Sequence, residues 1–127
     1  MLELAANYNS ADPVRVREIA EHHDIPPRFL VQILLQLKAT GLINSTRGAS
    51  GGYRLNYPPR EVTLAQVMQA IDGDSDQPEV TAESAAMQVL YQTWNEAAEA
   101  QREVLEAITF AELLEQARSK DADMYYI

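Results

Sequence analysis

Two arginines and a serine within residues 46–55 are the side chains of this sequence best suited to binding a phosphate backbone. Arg47 enters a small, glycine-rich turn and Arg54 follows it, so a planar guanidinium can reach into a DNA minor groove. Ser50 and its small neighbours let the backbone of the turn approach phosphates closely. The alternative is a solvated turn with two incidental arginines, and the segment taken by itself does not exclude it.

A β-hairpin must position these side chains. Residues 42–46 and 52–56 are short runs that carry β-branched, aromatic and aliphatic residues, as strands require. Gly48 and Gly51 lie between the two runs and tolerate the positive φ angles of a tight loop. The segment therefore predicts a two-stranded wing.

A helix-turn-helix pattern precedes this hairpin. Residues 16–23 have helical character, and Pro26 and Pro27 end that helix and begin another, because proline is tolerated in a first turn but not in a helix interior. The second helix is predicted over residues 27–40, with Gly41 as its C-terminal stop. Two short helices joined by a tight turn are the arrangement that places a recognition helix in a DNA major groove.

The second helix divides into two faces. At about 100° per residue, one face collects apolar side chains for the core, namely Phe29, Leu30, Ile33, Leu34 and Leu37. The opposite face carries Arg28, Val31, Gln32 and Leu35. On that face Gln32 can bond an adenine edge in bidentate fashion, and Arg28 can reach a guanine or a phosphate. Taken singly, each fits an ordinary exposed polar residue on a surface helix better than a base-reading residue.

Together, these segments resemble the Rrf2 family of bacterial transcriptional regulators. The resemblance rests on residues 17–21, 25–34, 37–43 and 47–55, and it continues through 63–73, Trp94 and 108–114. It covers most of the chain, and its wing motif is specific. It implies a homodimer whose operator-facing residues match Arg28, Val31, Gln32 and Arg47.

Three departures from the family pattern have consequences. The best-known members hold an iron–sulfur cluster on three cysteines, but this chain has no cysteine, which excludes a thiolate-held cluster. Val31 stands where a glutamate is common in the family. A hydrogen-bond acceptor for the cytosine amino group is thereby replaced by an apolar contact to a thymine methyl group, so the operator should differ.

Family members also begin further upstream, so Met1 falls inside the first helix. Either the native start lies upstream or this helix is short, and loss of a phosphate-contacting lysine there would weaken DNA binding.

Charge is divided unevenly along the chain. The net charge of −9 argues against a nucleic-acid binder, which is expected to carry a basic footprint. Residues 1–60, however, hold seven Lys/Arg against five Asp/Glu, a net of +2, whereas residues 61–127 hold three against fourteen, a net of −11. Phosphate repels the second half and so orients the first half toward the duplex. A local charge of +2 predicts low non-specific affinity.

The acidic half contains a predicted dimerisation helix. Apolar positions recur in alternating steps of three and four, the spacing of a heptad seam. The seam consists of Met87, Leu90, Trp94, Ala97, Gln101, Val104 and Ile108. Gln101 is its one polar member, a device that can fix the register of paired helices. The opposite face carries Glu96, Glu99, Glu103 and Glu106. The alternative is an amphipathic helix docked on its own domain.

The segment 72–83 between the two halves is acidic. Its carboxylates at positions one, three, five and twelve resemble a calcium-binding EF-hand loop, but Gln77 occupies the sixth position, where the sharp turn requires glycine. A solvated linker is therefore favoured over a calcium site. His22 and His23 close the first helix of the helix-turn-helix and are interpreted as surface residues, not as metal ligands.

The whole sequence predicts a mainly α protein with a small β-hairpin. Residues 1–73 form a winged helix-turn-helix domain, 74–82 an acidic linker, 83–118 a dimerisation helix with a short C-terminal helix, and 119–127 a tail. The expected DNA-facing residues are Arg28, Val31, Gln32, Arg47, Ser50 and Arg54.

The predicted function is that of a cytoplasmic, homodimeric regulator that binds double-stranded DNA at a two-fold-related operator, without a metal or cofactor. The alternative is a winged-helix adaptor for other proteins that has lost specific DNA binding, which the net charge and the start of the sequence inside the first helix favour. The absence of a catalytic constellation argues against an enzyme, and no apolar stretch is long enough to span a membrane. The operator sequence, the direction of regulation and any protein or small-molecule effector are not readable from the chain.

Overall fold

The computed structural model describes residues 1–73 and 84–125. As predicted, these residues are mainly helical, with one two-stranded antiparallel sheet. The helices are α1 (Leu2–Ala6), α2 (Val16–His23), α3 (Pro27–Ala39), α4 (Leu64–Asp72), α5 (Ala85–Ala107) and α6 (Phe110–Tyr125), and the strands are β1 (Ile43–Thr46) and β2 (Gly52–Leu55). A 3-10 turn, Pro59–Glu61, joins β2 to α4. The predicted acidic linker 74–82 lies outside the described residues, as does most of the calcium-like loop.

Local backbone chemistry sets the turn between α2 and α3. Asp24 ends α2 with a φ of 50°, a left-handed conformation that aspartate adopts more readily than most residues. Pro27 occupies the first turn of α3, where its missing N–H costs no helical hydrogen bond. Gly41 has a φ of +82° just after α3 and turns the chain toward β1. The predicted boundaries of both helices are confirmed to within one residue.

The hydrophobic core of the described residues joins α1, the helix-turn-helix, the base of the wing, α4 and the first residue of α6. Its buried side chains are Leu4, Ala5, Val14, Ile19, Ala20, Leu30, Leu34, Leu37, Leu42, Ile43, Leu55, Val62, Val67 and Phe110. The start of α6 is fixed beside the start of α4, because the Phe110 N–H donates to the Val62 carbonyl and the Leu64 N–H to the Ile108 carbonyl, both at 2.9 Å. From there α6 packs against α1.

One side chain of α3 does not lie where its spacing predicts. The spacing predicts Phe29 on the core face, but it is 58% exposed, whereas Leu30 and Leu34 are buried. Phe29 is about 100° from Leu30 around the helix, so it lies at the edge of the apolar stripe. The assignment of Phe29 to the core is therefore wrong.

The two C-terminal helices differ in how they pack. Ser84 caps α5, its hydroxyl accepting from the Met87 N–H at 3.2 Å, and α5 packs along α4 without burying any of its own residues completely. The helix α6 extends through most of the predicted tail 119–127, because no proline or glycine ends it earlier. None of the helices in the described residues is both long and apolar enough to cross a membrane.

Candidate nucleic-acid interface

The outer face of α3 displays side chains that are free to meet a ligand. Arg28 and Gln32 are exposed, and neither has a hydrogen-bond or ion-pair partner among the described residues. Val31 lies beside them and is 37% exposed. Leu34 and Leu37 on the opposite side are buried and hold the helix in place. The helix therefore presents its polar groups from a fixed backbone.

The wing is a regular antiparallel pair anchored at its base. Ile43 of β1 lies opposite Leu55 of β2, and both side chains are buried in the core. Higher on β1, the Ser45 hydroxyl accepts a hydrogen bond of 2.7 Å from Lys38 Nζ, which ties the wing to the end of α3. The orientation of the wing relative to α3 is thus set by packing and by a direct hydrogen bond.

Close backbone approaches require glycine in the wing. A Cβ on Gly51 would lie 2.2 Å from the carbonyl oxygen of Thr46, and a Cβ on Gly52 would lie 2.3 Å from that of Val14. The second approach exists because Val14 and Tyr53 exchange two backbone hydrogen bonds, of 2.9 and 2.8 Å. The segment before α2 therefore lies against β2, a pairing that the sequence analysis did not predict.

Arg47 and Ser50 are exposed at the tip of the wing. Neither has a hydrogen-bond partner within residues 1–73 and 84–125. The tip itself is held, because the Arg15 guanidinium donates to the carbonyl oxygen of Ala49 at 2.9 Å. Arg15 directly precedes α2, so this bond links the helix-turn-helix to the wing. Sequence reasoning missed Arg15, since no local spacing connects residues 34 positions apart.

Arg54 is placed differently from the other predicted DNA contacts. Arg54 is half-buried as a residue, and its guanidinium donates to the carbonyl oxygen of Ser10 at 2.7 Å and also to that of Ala11. These bonds hold the loop before α2 against the wing. Arg54 therefore has a positioning role within the chain, and its contact to DNA stays a prediction.

The carboxylate of Glu3 on α1 is held by the two histidines of α2. One oxygen lies 2.8 Å from Nδ1 of His22 and the other 3.1 Å from Nε2 of His23. Partial burial raises the pKa of Glu3, but the hydrogen bonds and charges of the two histidines outweigh it and bring the pKa below its ordinary 4.5. Both histidines are exposed and brace α1 against α2. The described residues contain no group of three His, Asp or Glu that could hold a metal ion.

The helix α5 exposes most of the predicted seam. Leu90 is 60% and Trp94 67% exposed. Met87, Ala97, Gln101 and Val104 are also exposed, and Ile108 is half-buried. The single chain therefore leaves this apolar face largely uncovered in its described part. Val89 is a further exposed apolar residue of α5 that the heptad spacing missed, because it lies to one side of the seam.

Comparison with known proteins places these features in context. Residues 1–116 match the Rrf2 family, described as an iron-dependent transcriptional regulator. An rrf2-like HTH-type transcriptional regulator of Rhodobacter capsulatus is 43% identical over 75 residues, which are 58% of this chain and span only 50% of that protein. The HTH-type transcriptional regulator CymR of Bacillus subtilis is 28% identical over 128 aligned positions, covering 100% of this chain and 91% of that protein. The solved structure of T. potens IscR superposes with a TM-score of 0.77 at 27% identity, covering 98% of this chain and 87% of that one.

Proposed function

This chain belongs to the Rrf2 family of transcriptional regulators, and we propose that it binds double-stranded DNA as a homodimer at a two-fold-related operator. The observation that carries the proposal is the combination of an exposed, unpartnered polar face on α3 with a wing that displays Arg47 at its tip. In this arrangement α3 enters the major groove and the wing lies along the backbone and the adjacent minor groove.

Base reading is assigned to the first two turns of α3. Gln32 can donate to adenine N7 and accept from adenine N6, and Arg28 can reach guanine or a phosphate. Because Leu34 and Leu37 hold the other side of the helix in the core, the backbone that carries the polar groups loses little freedom on binding. Rigid presentation of this kind favours sequence discrimination.

The wing supplies contacts that do not depend on sequence. Arg47 carries a positive charge that has no acidic partner in the described chain, so it can neutralise a phosphate or enter the minor groove. Ser50 stands at the same tip, where the glycines let the backbone approach the sugar–phosphate chain. The bond from Arg15 to Ala49 keeps this tip in position before DNA arrives.

The uncovered seam of α5 supports dimerisation. Exposed Leu90 and Trp94 make a long apolar face that a second copy of the chain can cover. A two-fold axis through paired α5 helices relates two recognition helices, which matches a two-fold-related operator. Gln101 in the middle of the seam would set the register of the pair. The charge distribution favours an orientation in which the recognition helices face the DNA, since phosphate repels the strongly acidic second half of the chain.

The residues of this chain do not fit the iron–sulfur cluster held by cysteines in other members of the family. The chain contains no cysteine, and thiolates are the ligands that hold such clusters. Within the described residues, no group of three other ligating side chains takes their place. DNA binding is therefore proposed to proceed without a cluster.

The test is enrichment of bound duplexes from a random library, followed by fluorescence anisotropy with the enriched duplex and with random DNA. Gln32→Ala should cost about 1–3 kcal/mol on the enriched duplex and little on random DNA. Gln92→Ala on the polar face of α5 is the matched control and should change neither affinity. If the wild-type chain enriches no sequence and binds none better than random DNA, the adaptor function, which the net charge of −9 favours, takes its place.

A further inference from the structure

The recognition helix carries two exposed aliphatic side chains among its polar groups. Leu35 is 52% exposed and Val31 is 37% exposed. Leu35 follows Arg28 by seven residues, about two helical turns, so both side chains project to the side of α3 that faces away from the core. A single exposed leucine is ordinary on a protein surface. What distinguishes Leu35 is its place in the middle of the face proposed to enter the major groove.

The side chains beside Leu35 indicate which chemical group it contacts in the major groove. Val31 lies four residues before it and Gln32 three residues before it, and both spacings make side chains adjacent on a helix surface. Glutamine is suited to the N6 and N7 atoms of adenine, and the thymine of the same base pair presents its C5-methyl group on the same groove edge. An aliphatic strip beside a glutamine therefore complements both halves of A·T pairs.

We propose that Val31 and Leu35 form an apolar strip that contacts thymine C5-methyl groups in the major groove, which makes Leu35 a specificity-determining residue. The inference rests on the DNA binding proposed above. Arg28 and Leu35 are about 10 Å apart along the helix axis, so the two side chains contact different base pairs or phosphates of one half-site. The expected operator half-site therefore carries thymine at a base pair other than the one nearest to Arg28.

A second protein is a poorer fit to this strip. Two aliphatic side chains offer far less area than the roughly 1,000 Å² that a stable protein interface requires. The strip is also continuous with the exposed, unpartnered Arg28 and Gln32, which are groups suited to base edges and phosphates. The surrounding chemistry therefore favours a nucleic-acid groove.

The test uses the full chain and the duplex that it enriches from a random library. Each half-site thymine is replaced in turn by deoxyuridine, which removes the methyl group and keeps the base pair. Loss of one buried methyl contact should weaken binding about fourfold, whereas the same replacement outside the half-sites should have no effect. At the half-site thymine that Leu35 contacts, Leu35→Ala should bind the thymine and deoxyuridine duplexes equally, while replacement of the thymine that Val31 contacts should still weaken binding. Met124→Ala, which shortens an exposed apolar side chain on α6, should keep the preference for thymine.

The outcomes separate this inference from the proposed function. If the wild-type chain prefers its enriched duplex but no deoxyuridine replacement weakens binding, the apolar strip does not read thymine and DNA binding stands. If Leu35→Ala keeps the wild-type preference at every half-site thymine while its thermal unfolding is unchanged, Leu35 does not contact a thymine methyl group. If no duplex is enriched at all, both the proposed function and this inference fall.

Discussion

The guanidinium of Arg15, just before α2, donates a 2.9 Å hydrogen bond to the carbonyl oxygen of Ala49 at the tip of the wing. Both residues are exposed, so the bond crosses the surface between the helix-turn-helix and the wing, outside the core. A tip held in place has less conformational freedom to lose when it binds a ligand. The position of Arg47, two residues before Ala49, therefore depends on a residue outside the wing.

Arg15→Ala should loosen the tip of the wing. Without the bond, the backbone amides of residues 48–51 should gain fast motion, measured as lower heteronuclear NOE values, and affinity should fall on every DNA sequence. Arg17→Ala is the matched control, because it removes an exposed arginine of the same charge that has no partner in the described chain. Unchanged NOE values at the tip of the Arg15→Ala protein would contradict the prediction.

Arg47→Ala should weaken binding to all DNA sequences by a similar factor. A phosphate contact releases counterions whatever the sequence, so the slope of log affinity against log salt should fall by about 1. Anisotropy titrations over a range of salt concentrations measure this slope. Arg118→Ala on α6 makes the same change in charge in the acidic half and should leave the slope as it is. A loss confined to the enriched duplex would count against this contact.

Leu90→Glu should convert a dimer into a monomer, because it places a charge in an apolar seam. Light scattering coupled to size-exclusion chromatography, at micromolar protein, reports the mass directly. Gln92→Glu introduces the same side chain on the polar face of α5 and should leave the mass unchanged. A wild-type chain that is already monomeric under these conditions would refute the proposed dimer.

Protein purified anaerobically should contain far less than one iron per chain and show no charge-transfer band in the visible spectrum. The reason is the absence of cysteine, since thiolates hold the clusters of this kind. Elemental analysis and absorption spectroscopy provide the measurement, with a cysteine-bearing member of the family prepared in parallel. Stoichiometric iron accompanied by such a band would show that other ligands suffice.

Glu3→Gln should destabilise the fold in a pH-dependent way. The pKa of Glu3 is lowered from 4.5 in the folded state, so its carboxylate stabilises the fold above that pH, and the contribution is lost as the pH falls through the folded-state pKa. We expect the free energy of unfolding of the wild-type protein in urea to exceed that of Glu3→Gln by about 1 kcal/mol near pH 6. This difference should disappear in stronger acid. Glu18→Gln, on the exposed side of α2, is the control. A difference that stays constant with pH would show that the charge of Glu3 is not involved.

Local sequence signals were sufficient to predict much of the candidate interface. Gly48 and Gly51 indicate the turn of the wing, and Pro27 marks the start of α3, because each signal lies within the element that it defines. Phe29 was misplaced for a geometric reason, since a residue at the edge of an apolar stripe can face either way. The exposed polar face of α3 followed from the same periodicity and needed no knowledge of the tertiary structure.

Local sequence signals do not predict contacts between segments that are distant in the sequence. Arg54 and Ser10 are 44 residues apart, and Arg15 and Ala49 are 34 apart, so no helical or strand period relates them. Their meeting depends on the pairing of Val14 with Tyr53, which only the folded chain brings about. Arg54 is an example. Its position in the sequence predicts a side chain that points outward to DNA, whereas its guanidinium donates hydrogen bonds to the loop before α2.

Trp94 is the only tryptophan of the chain, and it lies on the seam of α5 with 67% of its surface exposed. Indole emission shifts to shorter wavelength when water is removed from around the ring. Any process that covers this seam therefore shifts the emission maximum of Trp94 to shorter wavelength. Dilution that uncovers the seam restores the original spectrum. Trp94 is thus an intrinsic optical reporter of the proposed dimerisation, located away from the face proposed to meet DNA.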